Sequence, residues 1–159
     1  MLRIEICFGF RVSGWYSEHE TRNPKLETSV MPSFKTFKDI EAWQHARGLT
    51  RDIYAISNDG AFSKDFGLRD QIRRADVSIT ANIAEGHERS GTGEFVQFLS
   101  MAKGSAGEVE SHLCIAFDFG YLDKSTFDRL SSATTETARL IGALMQYLRR
   151  SGIKGGKYK

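Results

Sequence analysis

The sequence predicts an all-α protein, an antiparallel up-down four-helix bundle with an appended N-terminal arm. Three observations lead there. Both prolines, Pro24 and Pro32, precede the long amphipathic stretch, so nothing after Pro32 carries the strongest helix breaker. Apolar residues recur through that stretch at spacings of three and four, the rhythm of a helix with one buried face. The segments between the last three helical runs are short, which forces neighbouring helices into up-and-down order. At 159 residues the chain has the length of one domain and can bury a real core without disulfides or metals to staple it.

The bundle is expected over residues 33–151. Its first helix runs from Asp39, read as the N-cap, to Ser57, with Ile40, Trp43, Ala46, Leu49, Ile53 and Ile56 on the apolar face, and the turn Asn58-Asp59-Gly60 ends it. The second is expected to start after Gly67, to carry Leu68, Ile72, Ala75, Ile79 and Ile83 on one stripe, and to stop near Gly86. A third opens at Thr92 as N-cap, with Glu94 placed to favour the helix dipole, and buries Phe95, Phe98, Leu99, Ala102, Ala106, Val109, Leu113 and Ala116. Gly120 closes it, with Tyr121 and Leu122 folding back on its last turn. The fourth opens at Asp123 and sets Phe127, Leu130, Thr134, Thr137, Ile141, Leu144 and Leu148 in a seam suited to near-antiparallel packing.

Residues 1–32 follow other rules. Leu2, Ile4, Ile6, Phe8, Phe10 and Val12 alternate with a period of two, and the stretch from Ser13 to Ser29 is polar without helical rhythm. Two readings stand: a strand-like or disordered extension, or upstream sequence translated in frame ahead of a natural start at Met31. Residues 152–159 read as a basic flexible tail.

Composition excludes several classes. Cys7 and Cys114 are far apart and lack the second member of a metal-type pair, so neither a zinc knuckle nor a disulfide framework is expected, and both read as small apolar residues of a reducing cytoplasm. No run reaches the roughly 18 to 20 apolar residues that a membrane helix needs, and the N-terminus lacks the pattern of a secretion signal. Cytoplasmic localisation is the expectation. A formal net charge of +2 is too small to indicate a nucleic-acid partner by itself, so the placement of charge decides.

With the helices placed, the chain resembles the bacterial four-helix-bundle proteins related to the reading frame found in intervening sequences of large-subunit ribosomal RNA genes. The resemblance covers Phe37 to about Arg150 and is most specific over residues 66–86, FGLRDQIRRADVSITANIAEG. Trp43, Gln44 and Ala46 support it, as do Glu94-Phe95, Phe98-Leu99, Gly104-Ser105 and Gly120-Tyr121-Leu122. It implies a homo-oligomer, a pentamer of four-helix bundles, and an RNA or nucleoprotein partner, since a distant branch serves as accessory protein to the reverse transcriptase of diversity-generating retroelements. It implies no reaction. Two positions depart from the family pattern: Asp76 stands where a small apolar residue is usual, and Thr80 where a proline is. Losing that proline is expected to straighten the second helix. Asp76 is expected to offset part of the positive charge of Arg73 and Arg74.

Candidate binding residues fall into two basic clusters. Arg69, Arg73 and Arg74 follow Lys64 on the second helix, with Arg69 and Arg73 one turn apart on a common face. Planar guanidinium donors suit phosphate, and oligomer symmetry would multiply a weak patch. The competing reading is a solvated face with Asp65, Asp70 and Asp76 as partners. Arg149, Arg150, Lys154, Lys157 and Lys159 form the second cluster, with no acidic residue after Glu136. Such a tail gains affinity for polyanions by counterion release. Alternatively it complements the helix dipole and solubilises the end.

Gln71, Arg74, Ser78, Asn82 and Glu85 form a polar stripe on the second helix, read either as a subunit interface or as hydrogen bonds fixing helix register. Gly104, Ser105, Ala106 and Gly107 are expected to let a neighbouring helix approach, at about 1 kcal/mol of helix propensity per glycine. An enzyme is the rival, in its strongest form a carboxylate-bridged di-metal bundle. That chemistry wants Glu-x-x-His pairs, whereas Glu41 with His45 and Glu108 with His112 are four apart, and His19 and His87 read as surface residues in turns. No phosphate-binding glycine loop or nucleophile elbow occurs, and Gly91-Thr92-Gly93 reads as a loop and cap. The expectation is a non-enzymatic oligomeric binding protein for RNA or nucleoprotein, without catalytic residues, cofactor, metal, membrane or small-molecule substrate. The alternative is a structural protein–protein scaffold.

Overall fold

A computed structural model describes residues 34–89 and 91–151, and four helices occupy most of them: α1 (Glu41–Ser57), α2 (Phe66–Glu88), α3 (Thr92–Asp118) and α4 (Lys124–Arg150). Each packs on its neighbours in the chain and α4 closes the ring against α1, while the diagonal pairs are not in extensive contact. This is the expected antiparallel up-down bundle. No strand occurs among the described residues, and no described helix is long and apolar enough to cross a membrane. The arm expected at 1–32 and the tail at 152–159 lie outside the described residues.

Helix ends show where side chains compete with the backbone. Asp39 does not cap α1: it closes a 3-10 turn, Phe37–Asp39, by accepting from the Thr36 amide at 2.9 Å, and Ile40 takes the N-cap position. The second helix starts earlier than Gly67 because Asp65 caps it, accepting from the Leu68 amide at 3.0 Å. The Tyr121 hydroxyl donates to the other Asp65 oxygen at 3.1 Å, tying the start of α2 to the end of α3. Gly91, not Thr92, is the N-cap of α3, and Thr92 is its first helical residue. At the far end of α3, Gly120 adopts a φ of 70°; its amide donates to Phe117 and that of Tyr121 to Ala116, both at 2.9 Å, the paired bonds of a glycine C-cap. Asp123 caps α4 by accepting from the Thr126 amide at 2.7 Å.

The apolar faces meet on the bundle axis. Ile53, Ile72, Ile79, Ile83, Leu99, Val109, Leu113, Leu130 and Ile141 are fully buried, as the spacing predicts. Trp43, Ile56, Leu68, Phe98 and Leu148 are half-buried at the margin, whereas Ala42 and Ser57 are buried although the spacing does not place them on the core face. α2 runs unbroken through Thr80, whose hydroxyl donates to the Val77 carbonyl at 2.9 Å.

Gly86 is not a stop signal; α2 continues two residues beyond it, and the glycine is buried where α2 crosses α3. A Cβ there would lie 2.6 Å from Phe98 Cβ and 2.8 Å from Phe95 Cδ2. Phe98 Cβ moves only with its backbone, so Gly86→Ala is expected to lose about 1 to 3 kcal/mol by overpacking even after the gain of up to about 1 kcal/mol in helix propensity. Urea denaturation measures it; a stabilised variant would show that α2 and α3 separate without cost.

Candidate nucleic-acid interface

Three arginines on the first third of α2 have three different environments. Arg69 is neutralised locally: its guanidinium pairs with Asp70 at 2.9 Å and donates to the Ser63 carbonyl at 3.1 Å. Asp70 is thus the one of the three aspartates that pairs with Arg69. Arg73 reaches back to the end of α1, where Nε donates to Ser57 Oγ at 2.7 Å and Nη2 to Asn58 Oδ1 at 2.8 Å. Ser57 is buried and spends its own proton on the Ile53 carbonyl at 2.6 Å, so its oxygen is free to accept. Both acceptors are neutral. Arg73 is therefore held in one place while its charge stays uncompensated, and its guanidinium lies 4.7 Å from the Tyr54 ring centre. Arg74 is exposed and has no ion pair or hydrogen bond among the described residues.

The three aspartates expected to neutralise this face divide likewise. Asp70 does so for Arg69, and Asp65 serves as a helix cap. Asp76 offsets nothing on the surface: it is fully buried, and neither carboxylate oxygen has a hydrogen-bond partner. Burial pushes its pKa up from 3.8 to about 6. The neighbouring Thr50 hydroxyl donates its proton to the Ala46 carbonyl at 3.0 Å and leaves the carboxylate unsatisfied. At this position the apolar seam of α2 simply contains a carboxyl.

The polar stripe of α2 is partly absorbed by the fold. Ser78 Oγ meets Ser105 Oγ at 2.9 Å across the α2–α3 contact, and Asn82 Nδ2 donates to the Ser78 carbonyl at 2.8 Å and to Ser78 Oγ at 3.0 Å. The Ser78–Ser105 bond fixes register between α2 and α3, and the Asn82 bonds stay within α2 and hold Ser78 in place. Gln71 and Glu85 are exposed, and Glu85 pairs with Arg89 at 2.5 Å. On α3, Ser105 and Ala106 make the close contact expected of the small-residue run, but Gly104 and Gly107 do not: they face outward, with no atom within 4 Å of a would-be Cβ.

The two basic clusters are not brought together. Antiparallel packing puts Arg149 and Arg150, exposed in the last turn of α4, at the end of the bundle opposite the start of α2. Lys154, Lys157 and Lys159 lie outside the described residues. Among the described residues no three His, Cys, Asp or Glu side chains come together as a metal site. Sequence reasoning missed Tyr54, Ser57 and Asn58 as the groups that hold Arg73. Ser57-Asn58 reads in sequence only as a helix end, and nothing local announces that an arginine 16 residues later returns to it.

The fold and this face can be set beside known proteins. The model of the 23S rRNA-intervening sequence protein family matches residues 38–143. A solved structure from Bacteroides thetaiotaomicron, described as a protein with unknown function from the S23 ribosomal protein family, superposes with a TM-score of 0.61 at 22% identity, covering 66% of this chain and 98% of that one. At that identity the likeness concerns the fold. Comparison with curated proteins finds no significant match. A match over residues 38–143, spanning all of α1, α2 and α3 and most of α4, establishes that the chain belongs to the 23S rRNA-intervening sequence protein family.

Proposed function

We propose that this protein is a non-enzymatic, self-associating cytoplasmic binding protein whose partner is RNA, alone or within a nucleoprotein, engaged through the Arg73–Arg74 face of α2. The observation that carries the reading is the state of those two side chains. Arg73 is pre-positioned by neutral acceptors, and Arg74 has no partner among the described residues, so both charges are available to phosphate. An arginine whose geometry is already fixed loses less entropy when it binds. The family name, with its reference to ribosomal RNA, points the same way. Repetition in a homo-oligomer, a pentamer if the chain follows its resemblance, turns two cations per chain into a multivalent surface. Arg149, Arg150 and the lysines after them would add a second, salt-sensitive contact at the other end.

A scaffold without a nucleic-acid role is the second reading, favoured by one observation. Met101, Gly104 and Ile115 fall on one outward face of α3, and the two apolar side chains are 44% and 39% exposed. Size exclusion with light scattering separates the readings when absorbance at 260 and 280 nm is followed with and without nuclease. The RNA reading expects an oligomer-sized peak carrying nuclease-sensitive nucleic acid that high salt releases. An oligomer of the same mass that carries none, at low salt and without nuclease, contradicts it and leaves the scaffold.

A further inference from the structure

We infer that the RNA engaged by α2 is single-stranded, its bases stacking on Tyr54 and Phe66 while Arg73 and Arg74 take the phosphates; this rests on the RNA reading above. Phe66 is the first residue of α2 and is 65% exposed, and Tyr54 on α1 is 39% exposed. Each ring carries a guanidinium at 4.7 Å from its centre, Arg69 over Phe66 and Arg73 over Tyr54. Aromatic surface and cationic charge thus lie side by side on α2 and the adjoining end of α1. An open concavity of about 650 Å³ lies across this face, lined by Tyr54, Asp70, Arg73, Arg74, Val77 and Ser78.

Chemistry selects the occupant. A duplex keeps its base faces inside the stack and offers a protein mainly phosphates and 2′-hydroxyls, for which exposed rings are of no use. A single strand offers base faces and phosphates together, and its general readers combine a cationic track with aromatic platforms. Asp70 marks the boundary between the two uses. It lines the concavity, and its carboxylate is engaged by Arg69, which holds that guanidinium beside the Phe66 ring and leaves Arg73 and Arg74 to take the phosphates.

The test compares a labelled single-stranded oligoribonucleotide with a blunt duplex of the same sequence, by fluorescence anisotropy at one salt concentration, on the full chain. The expected result is at least about tenfold tighter binding of the single strand. Phe66→Ala loses about five- to tenfold on the single strand and leaves duplex binding as it was, Tyr54→Ala loses at least as much on the single strand, and Tyr54→Phe retains full affinity. Both positions are exposed, and thermal melts verify that the variants fold. Equal affinity for both forms, unaffected by either alanine, overturns the inference and leaves the RNA reading standing. Binding of neither form overturns both. If Phe66→Ala changes the oligomer mass while single-strand affinity stays constant, that ring belongs to a protein contact, and the inference fails.

Discussion

Asp76→Ala is expected to raise the thermal midpoint at pH 7 by roughly 5 to 10 °C, a large gain for a single core substitution. The wild-type carboxyl is fully buried, lacks a hydrogen-bond partner and holds its proton up to about pH 6, whereas in the unfolded chain it releases it near 3.8. Between those values the folded state binds the extra proton, so the contribution of this group to wild-type stability is most favourable below about pH 4, falls as pH rises toward 6, and is flat beyond. At about 1.4 kcal/mol for each pH unit of that interval, the wild type is about 3 kcal/mol weaker at pH 7 than in acid on account of this group. Alanine removes the penalty and costs part of it back as a small cavity. Asp76→Asn should gain less, because a buried unpaired amide remains. Circular dichroism melts at pH 4 and pH 7 measure both effects: the alanine variant should exceed the wild type at pH 7 and converge with it at pH 4. A destabilised variant at pH 7 would mean that the carboxylate has a stabilising partner.

Neutralising Arg73 and Arg74 together is expected to weaken RNA binding by more than about tenfold at moderate salt, and more in an oligomer that presents the pair several times. The two residues should separate when changed singly. Arg74→Gln acts on binding alone, since Arg74 is exposed and forms no hydrogen bond or ion pair among the described residues. Arg73→Gln also loses the bonds to Ser57 and Asn58 and should lower stability by about 1 kcal/mol. Arg69→Gln should weaken binding much less, because Asp70 already neutralises that charge. Arg139→Gln is the control: it removes the same charge from α4, where Arg139 is paired with Glu136 at 2.6 Å, and should leave affinity unchanged. Equal losses for Arg69, Arg74 and Arg139 variants would indicate a response to net charge and not to this face.

Helix periodicity revealed most of the bundle in advance, because burial depends on spacing that a linear reading can see. The α4 seam is the clearest case: Phe127, Leu130, Thr134, Thr137, Ile141 and Leu144 are all buried, two threonines included, and each threonine hydroxyl donates to the carbonyl four residues back at 2.8 Å. Helix starts were harder to place. Asp39 and Asp65 are both good caps by residue type, and only the path of the preceding backbone decides that one closes a 3-10 turn and the other caps α2. Gly86 reads in sequence as a helix end, whereas its small size serves a crossing with α3 that no local pattern encodes. The basic face was half visible. Spacing places the arginines together, but their difference in partners comes from Asp70 beside Arg69 and from Ser57 and Asn58 at the end of α1. Asp76 lies four residues after Ile72 and three before Ile79, on the apolar stripe, so spacing alone places it on the buried side; its residue type, which favours the surface, argues the other way, and in the structure spacing prevails.

The most direct test is the salt dependence of RNA binding for the wild type and the Arg73→Gln, Arg74→Gln double variant, plotted as log affinity against log potassium chloride. Phosphate contacts release counterions, so a face that binds through these two cations gives the wild type a steep negative slope, and the double variant one shallower by about 1 to 2. Two parallel lines of equal affinity would place the nucleic acid elsewhere on the molecule, and absence of binding at the lowest salt would leave this bundle as a protein scaffold.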